Sequence, residues 1–220
     1  MKVVAISAVE VAKEGGEDQT KSAKLHKHSY RAGLWDAKTF TNHHWAEACR
    51  RRLEKAEKVV CVSDGALWIW MMVFMCFPRR IEILDCWHAL EYLWHVATVL
   101  FENEEAAKSW FVSQKQILLS QGLRPVIKAI RKTIPRTSPL PEPVRQALGY
   151  FVRNRHRMHY PLYRQQGLPI GSGTVESACK TVVQTRMKQA GMRWSRQVAQ
   201  TMLSLRSLLL SNRWDELASP

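Results

Sequence analysis

The chain has 220 residues, 46% of them hydrophobic, enough to bury one substantial core, which excludes a wholly disordered polymer. Its 33 Lys and Arg against 19 Asp and Glu give a net charge of +14, which points to polyanionic partners and leaves nucleic acid and an anionic membrane surface both open on charge alone. No stretch reaches the roughly 18 uncharged apolar residues of a membrane span, and no secretory leader pattern follows Met1, so a cytoplasmic protein is expected.

Residues 2–11 are rich in β-branched side chains and predict a strand, residues 13–24 with Gly15-Gly16 a turn, and residues 29–34 a second extended stretch. Residues 36–57 carry a helical pattern, with Phe40, Trp45 and Ala48 on one side and Arg50-Arg51-Arg52 late, where cations suit the helix dipole. Residues 59–63 form a short buried-strand run stopped by Asp64-Gly65. Residues 66–77 are apolar all round, as in a buried helix, and Pro78 ends them. Residues 81–84 give the next strand, stopped by Asp85. Strand, helix and strand in so short a span make a parallel β-α-β unit. It places Asp64 and Asp85 at the carboxyl ends of two strands, the edge where α/β sheets gather their chemistry.

Everything after Asp85 is helical in pattern. Trp87, Leu90, Trp94, Ala97 and Phe101 step by three and four, and further helices are expected at 104–121, 124–133 and 144–157. Pro135, Pro139, Pro141 and Pro143 mark a stiff connector, and residues 161–173 a second break. A helix over 174–189 follows, then a last one from an N-cap at Ser195, with Val198, Met202, Leu205 and Leu209 on one face.

Few residues suggest chemistry. Asp64 follows a strand and precedes a glycine that lets the chain turn, which fits an exposed carboxylate at a sheet edge and equally an ordinary turn. Glu176 lies just behind Gly171-Ser172-Gly173, with Ser172 or Thr174 as possible caps, and ahead of Lys180, Arg186, Lys188, Arg193 and Arg196. That order suits either dipole compensation or a carboxylate for a cation beside positive charge for a phosphate backbone. Asp85 and His88, three apart at a strand-to-helix junction, read as a partial metal site or as a helix cap with a bonded neighbour. Arg153, Arg155 and Arg157 form a basic run that reads either as a solvated helix end or, with Met158, Tyr160 and Tyr163 beside it adding aromatic surface, as a contact for single-stranded nucleic acid. The histidine pairs 26/28, 43/44 and 156/159 read as solvated or phosphate-facing. Cys49, Cys61, Cys76, Cys86 and Cys179, scattered and without a Cys-x-x-Cys pair, read as reduced, mostly buried thiols.

Together, four motifs in order carry a resemblance: Val62-Ser63-Asp64-Gly65-Ala66 with Trp68-Ile69-Trp70; Ile83-Leu84-Asp85 with His88-Ala89; Gly171-Ser172-Gly173 with Val175-Glu176-Ser177; and Arg186-Met187-Lys188 with Gly191-Met192-Arg193-Trp194. The chain resembles, over nearly its whole length, the ISKra-type insertion-sequence transposases, DNA transposases of the DDE kind. The resemblance implies an α/β fold: an RNase H-like core, incomplete because its first strand is missing, with a large all-helical insertion and C-terminal helices. Residues 1–90 would be the partial core, 91–168 the insertion, and 169–220 the helices that complete the core. It further implies Asp64 as the second catalytic aspartate and Glu176 as the glutamate, both ligands of Mg²⁺ or Mn²⁺, with Asp85 and His88 as accessory residues.

In such a core a hairpin and a helix lie between the first acid and the strand of the second, which is the order that leads into Asp64 here. Taking Asp64 as the first acid and Asp85 as the second fails, because a helix and a parallel strand lie between them, and Asp18 and Asp36 sit in a turn and at a helix start. The expectation is therefore an N-terminally truncated, inactive transposase that binds DNA, both transposon ends and target, through Lys180, Arg186, Lys188, Arg193, Arg196, Arg153, Arg155 and Arg157. No membrane partner is expected, and a homodimer is left open. Two other readings stand beside it: a non-catalytic basic nucleic-acid-binding protein, and a hydrolase of small phosphorylated substrates acting at Asp64. If the carboxylates of Asp64 and Glu176 share ions, they must lie within about 10 Å of each other.

Overall fold

The computed structural model describes residues 1–13, 21–135 and 139–217. They form a helix-rich, mixed α/β fold with two small sheets.

β1 (Lys2–Lys13) and β2 (Lys21–Gly33) make an antiparallel ribbon. Because side chains alternate along a strand, Val3 and Ala5 pack with Ala32, Ala178, Val182 and Leu203 on one side. Val4 and Ile6 meet the larger core around Phe40 and Trp70 on the other. The ribbon is longer than the sequence pattern predicts: β2 already begins at Lys21, in a polar stretch where no apolar alternation marks a strand. Gly15, Gly16 and Asp18 of the expected turn lie outside the described residues. Between Ile6 and Ala8 the register slips by one, and Lys27 opposite adopts a left-handed φ of 50°, a bulge that twists the ribbon.

Asp36 starts α1 (Ala37–Arg50), its Oδ1 accepting the Thr39 N–H at 2.7 Å. The helix stops well short of residue 57 because Arg52 turns left-handed, with φ 53°, and a 3₁₀ turn (Leu53–Lys55) follows. Its buried stripe is Phe40, His44, Glu47 and Ala48, while Trp45, expected on the inner side, is 48% exposed. A histidine and a glutamate within the stripe hide it from any apolar count.

β3 (Val59–Ser63), α2 (Leu67–Cys76) and β4 (Arg80–Leu84) form the expected parallel β-α-β unit, in register from Val59 opposite Arg80 to Ser63 opposite Leu84. α2 departs from expectation: Trp70, Met72 and Val73 are buried, but Leu67, Met71, Phe74 and Met75 face outward. Among the described residues the two sheets stay separate.

From Cys86 on, the described residues contain helices and no strand: α3 (Cys86–Leu100), α4 (Glu104–Ser120), α5 (Leu123–Thr133), α6 (Glu142–Asn154) and α7 (Tyr160–Gln165). Asn103 caps α4 through the N–H groups of Glu105 and Ala106. α7 occupies part of the expected break at 161–173, since Pro161 sits in its first turn, where a missing N–H costs nothing. Leu93, Val96, Leu118, Val126, Ile130, Val144 and Phe151 join these helices to the core that also takes Ile83 and Leu84 from β4. None of the described helices is long and apolar enough to cross a membrane.

The C-terminal part runs through α8 (Gly173–Ala178), a π-helical segment (Cys179–Gln184), α9 (Thr185–Met187) and α10 (Arg196–Leu210), the last capped by Ser195. α10 buries Ala199, Leu203 and Ser207, and leaves Val198 and Leu209 of the predicted face exposed. Two apolar stripes compete on this leucine-rich helix, and β2 selects between them. Gln200 accepts the Leu34 N–H at 2.7 Å and Ser211 accepts that of Tyr30 at 2.9 Å.

His44 belongs to the core rather than to solvent. Its ring meets Phe77 edge-on, with centroids 5.2 Å apart, and its Nδ1 lies 3.4 Å from Met72 Sδ. Burial pushes its pKa down to about 4, against a smaller opposing pull from Glu47, so the folded protein holds it neutral. The unfolded chain binds this proton more readily. The contribution is therefore complete above the ordinary value of about 6.5 and is lost as pH falls toward 4, a swing of about 3 kcal/mol. Urea midpoints of His44→Leu, measured between pH 7 and pH 4, are expected to fall less with acid than those of the wild type; parallel curves would contradict this.

Candidate functional site

Asp64 lies at the carboxyl end of β3 and is exposed. Its Oδ1 accepts from Ala66 N–H at 3.0 Å and from Ser63 Oγ at 3.2 Å, so one carboxylate oxygen is drawn into the turn while the side chain stays open to solvent. Gly65 makes that turn with φ +93°, and a Cβ there would meet Leu84 Cδ1 at 2.9 Å and the Tyr150 hydroxyl at 3.0 Å, so a side chain is excluded both by conformation and by space. The Tyr150 hydroxyl, from α6, donates to the Asp64 carbonyl at 2.7 Å. Burial, with Tyr92 and the carboxylates of Asp64 and Asp85 nearby, raises the Tyr150 pKa, which keeps the phenol a donor. Tyr92 stacks on it at 4.1 Å between centroids. No local pattern singles out Tyr150, whose partner lies 86 residues away.

Asp85 is only 4% exposed. Its Oδ1 caps α3 by accepting Trp87 N–H at 2.9 Å, and its Oδ2 accepts the Ser172 hydroxyl. Its own N–H donates to Ser63 O at 2.8 Å, and the next N–H, of Cys86, donates to Ile170 O at 2.8 Å. The β4–α3 junction thus grips both the strand end that presents Asp64 and the 170–172 loop that starts the Glu176 helix. Gly171 has no room for a side chain, since a Cβ would lie 2.9 Å from the Trp87 ring. The helix-cap reading of Asp85 fits this geometry. His88 points elsewhere, with Nδ1 2.9 Å from Glu91 Oε2 and its ring edge-on to Tyr92 and Tyr150.

Glu176 is exposed in the first turn of α8, its N–H bonded to Ser172 O at 3.1 Å. Ser172 occupies the N-cap position, but its hydroxyl serves Asp85 instead of the helix end. The π-helical segment begins three residues later, a local widening of the kind often found at working sites. Lys180, Arg186, Lys188, Arg193 and Arg196 are all exposed along and after this helix, although Arg196 also donates to Leu34 O at 3.2 Å.

In the other basic run, Arg153 and Arg155 are exposed, whereas Arg157 is tied into the fold: Nε lies 2.6 Å from Glu82 Oε2 and the guanidinium sits 4.3 Å over the Trp70 ring. Met158, Tyr160 and Tyr163 do not form an aromatic surface. All three are buried, and the tyrosine hydroxyls donate to Leu84 O and Glu82 O, which fixes α7 against β4. Amphipathic aromatics next to arginines read alike on a surface and in a core.

Burial raises the Cys61 and Cys86 thiols to about 12, and Cys179 also titrates high, first from burial and then from Glu176. Thiolate chemistry is thus disfavoured at these positions. All five cysteines are free, with Cys86 buried and Cys49 exposed rather than buried. Exposed carboxylates at Asp64 and Glu176 are hard donors of the type Mg²⁺ accepts. Even so, no group of three or more His, Cys, Asp or Glu side chains converges among the described residues.

Comparison with known protein families, with curated proteins and with solved structures finds no match for the chain.

Proposed function

We propose that these residues belong to a DDE-type DNA transposase of the ISKra type, acting on DNA in the bacterial cytoplasm, with an RNase H-like core. In this reading Asp64 is the second aspartate and Glu176 the glutamate, and both contribute to a Mg²⁺ or Mn²⁺ site that needs a further acid. The observation that carries the reading is the relay of hydrogen bonds from Ser63 through Asp85 to Ser172, itself 87 residues beyond Asp85, which ties the strand end bearing Asp64 to the start of the Glu176 helix. A second feature fits. The ribbon and the parallel pair are separate sheets, and an RNase H-like core needs a strand between them, the one that carries the first aspartate. Asp85 serves here as a structural clasp.

The second reading, a non-catalytic nucleic-acid-binding protein, is favoured by the absence of a three-ligand group among the described residues and by the turn bonds that Asp64 accepts. Calorimetric titration with Mn²⁺ separates the two. If the carboxylates share ions, Asp64→Asn and Glu176→Gln are each expected to weaken Mn²⁺ binding about tenfold or more, with DNA affinity retained. Metal binding that ignores both substitutions would overturn the transposase reading in favour of the second.

A further inference from the structure

We infer that Tyr150 is a positioning residue for Asp64: its hydroxyl holds the peptide unit between Asp64 and Gly65 in the orientation that leaves one carboxylate oxygen open, so that α6 forms part of the site. The functional half of this inference rests on the proposed role of Asp64, whereas the geometric half stands apart from it. Asp64 lies just beyond the paired length of β3, and the donor that the described residues give its carbonyl is the Tyr150 hydroxyl at 2.7 Å. The next residue, Gly65, has φ +93°, and glycine accepts φ values of either sign. A flip of the 64–65 peptide unit, the change that interconverts two common turn types, is therefore open to the bare chain. It would break the bond from Tyr150 and disturb the turn in which Ala66 N–H meets Asp64 Oδ1 at 3.0 Å. With both bonds made, Oδ1 is engaged by Ala66 and Ser63, and Oδ2 is the oxygen that no described residue uses.

Tyr150 itself has little freedom. It is buried, its ring is stacked on Tyr92 with an interplanar angle of 13°, and the His88 ring meets it edge-on with centroids 6.1 Å apart. Both neighbours belong to α3, so the packing of α3 against α6 sets where the hydroxyl stands. The other side of the ring lies against Gly65, where a Cβ would come within 3.2 Å of Tyr150 Cε2. Tyr160 and Tyr163 also donate to backbone carbonyls, but those belong to Leu84 and Glu82 of β4, whose peptide planes the pairing with β3 already fixes. Their bonds dock α7. The bond from Tyr150 falls instead on a turn with a second conformation within reach, next to the carboxylate itself.

Amide hydrogen exchange, followed by NMR on the isotope-labelled 220-residue chain, tests the geometric half. Tyr150→Phe keeps the ring and removes the hydroxyl. Exchange at the Ala66 N–H is expected to quicken about fivefold or more, the worth of one hydrogen bond, while the N–H groups of Asp85 and Cys86, bonded to Ser63 O and Ile170 O, exchange as in the wild type. Tyr163→Phe, which removes a bond of the same kind from β4, should leave Ala66 unchanged. Equal exchange at Ala66 in the wild type and Tyr150→Phe, or quickening shared by all three amides, would overturn the inference. Titration with Mn²⁺ tests the functional half. Tyr150→Phe should weaken binding about tenfold, and Asp64→Asn/Tyr150→Phe should bind no more weakly than Asp64→Asn, because Tyr150 acts through Asp64. Losses that add would overturn the positioning role. Mn²⁺ binding that ignores Asp64→Asn would instead remove the transposase reading, and the exchange rates would still decide whether Tyr150 holds the Asp64 turn.

Discussion

Glu47→Ala is expected to lower folding stability by about 3–5 kcal/mol at neutral pH. The carboxylate is fully buried in α1 and binds two guanidinium groups from distant elements, Arg31 Nε of β2 at 3.0 Å and Arg213 Nη1 beyond α10 at 2.6 Å. Removing it strands Arg31, whose side chain is only 18% exposed, leaves Arg213, 15% exposed, with Glu216 as its remaining carboxylate, and uncouples the ribbon, α1 and the C-terminus together. Arg31→Ala should cost less, because Arg213 still pairs with the carboxylate. Burial by itself would raise the Glu47 pKa; the hydrogen bond and charge of Arg213, with Arg31, outweigh it and hold the group below the usual carboxylate range. Its contribution is thus present above about pH 4.5 and is lost at lower pH, below most of the window from about 6.5 to 4 in which the His44 contribution is lost. Chemical denaturation of the two variants settles the order, and a Glu47→Ala loss under about 1 kcal/mol would show that the cluster is not a tie.

The largest effect expected in solution is on DNA binding, and it rests on the proposed function. A protein that contacts six to ten phosphates loses about 10³–10⁵ in affinity between 50 and 200 mM salt, because each contact releases condensed counterions. Lys180, Arg186, Lys188 and Arg193 follow Glu176 in sequence and are exposed, so they are the cations a bound duplex would use first. Fluorescence anisotropy with duplex DNA over a salt series should give a steep log–log slope, made shallower by about 0.9 for each of these residues changed to Gln. Arg131→Gln and Lys132→Gln, on the exposed end of α5, should leave it nearly unchanged. Affinity that is flat with salt, or equal losses from both sets, would mean that the basic C-terminal helices are not the contact surface.

Much of the architecture is legible in single residues of the sequence. The β-branched run after Met1, the Asp-Gly after residue 63, Pro78 behind an apolar decapeptide and Asp85 before a helical period place β1, the turn at Asp64, the end of α2 and the cap of α3 where the structure has them. These are local matters, decided by backbone sterics and by hydrogen bonds within a few residues. At the candidate site the sequence singles out Asp64, Asp85 and Glu176, but Tyr150 and the role of Ser172 stay hidden, since each acts on a partner 86 or 87 residues away.

The sequence by itself determined which segments are strand or helix in the β-α-β unit and its flanks, and which carboxylates stand at their ends. Only the tertiary structure decided which faces are inside. It drew His44, Glu47, Tyr160 and Tyr163 into the core, turned Trp45 and half of α2 outward, chose Ala199 and Leu203 over Val198 and Leu209 on α10, and removed Arg157 from the surface. The physical reason is that periodicity records a residue's direction relative to its own helix or strand, whereas burial depends on which other element packs there. A polar group is buried only when a distant partner, such as Arg213 for Glu47, satisfies it.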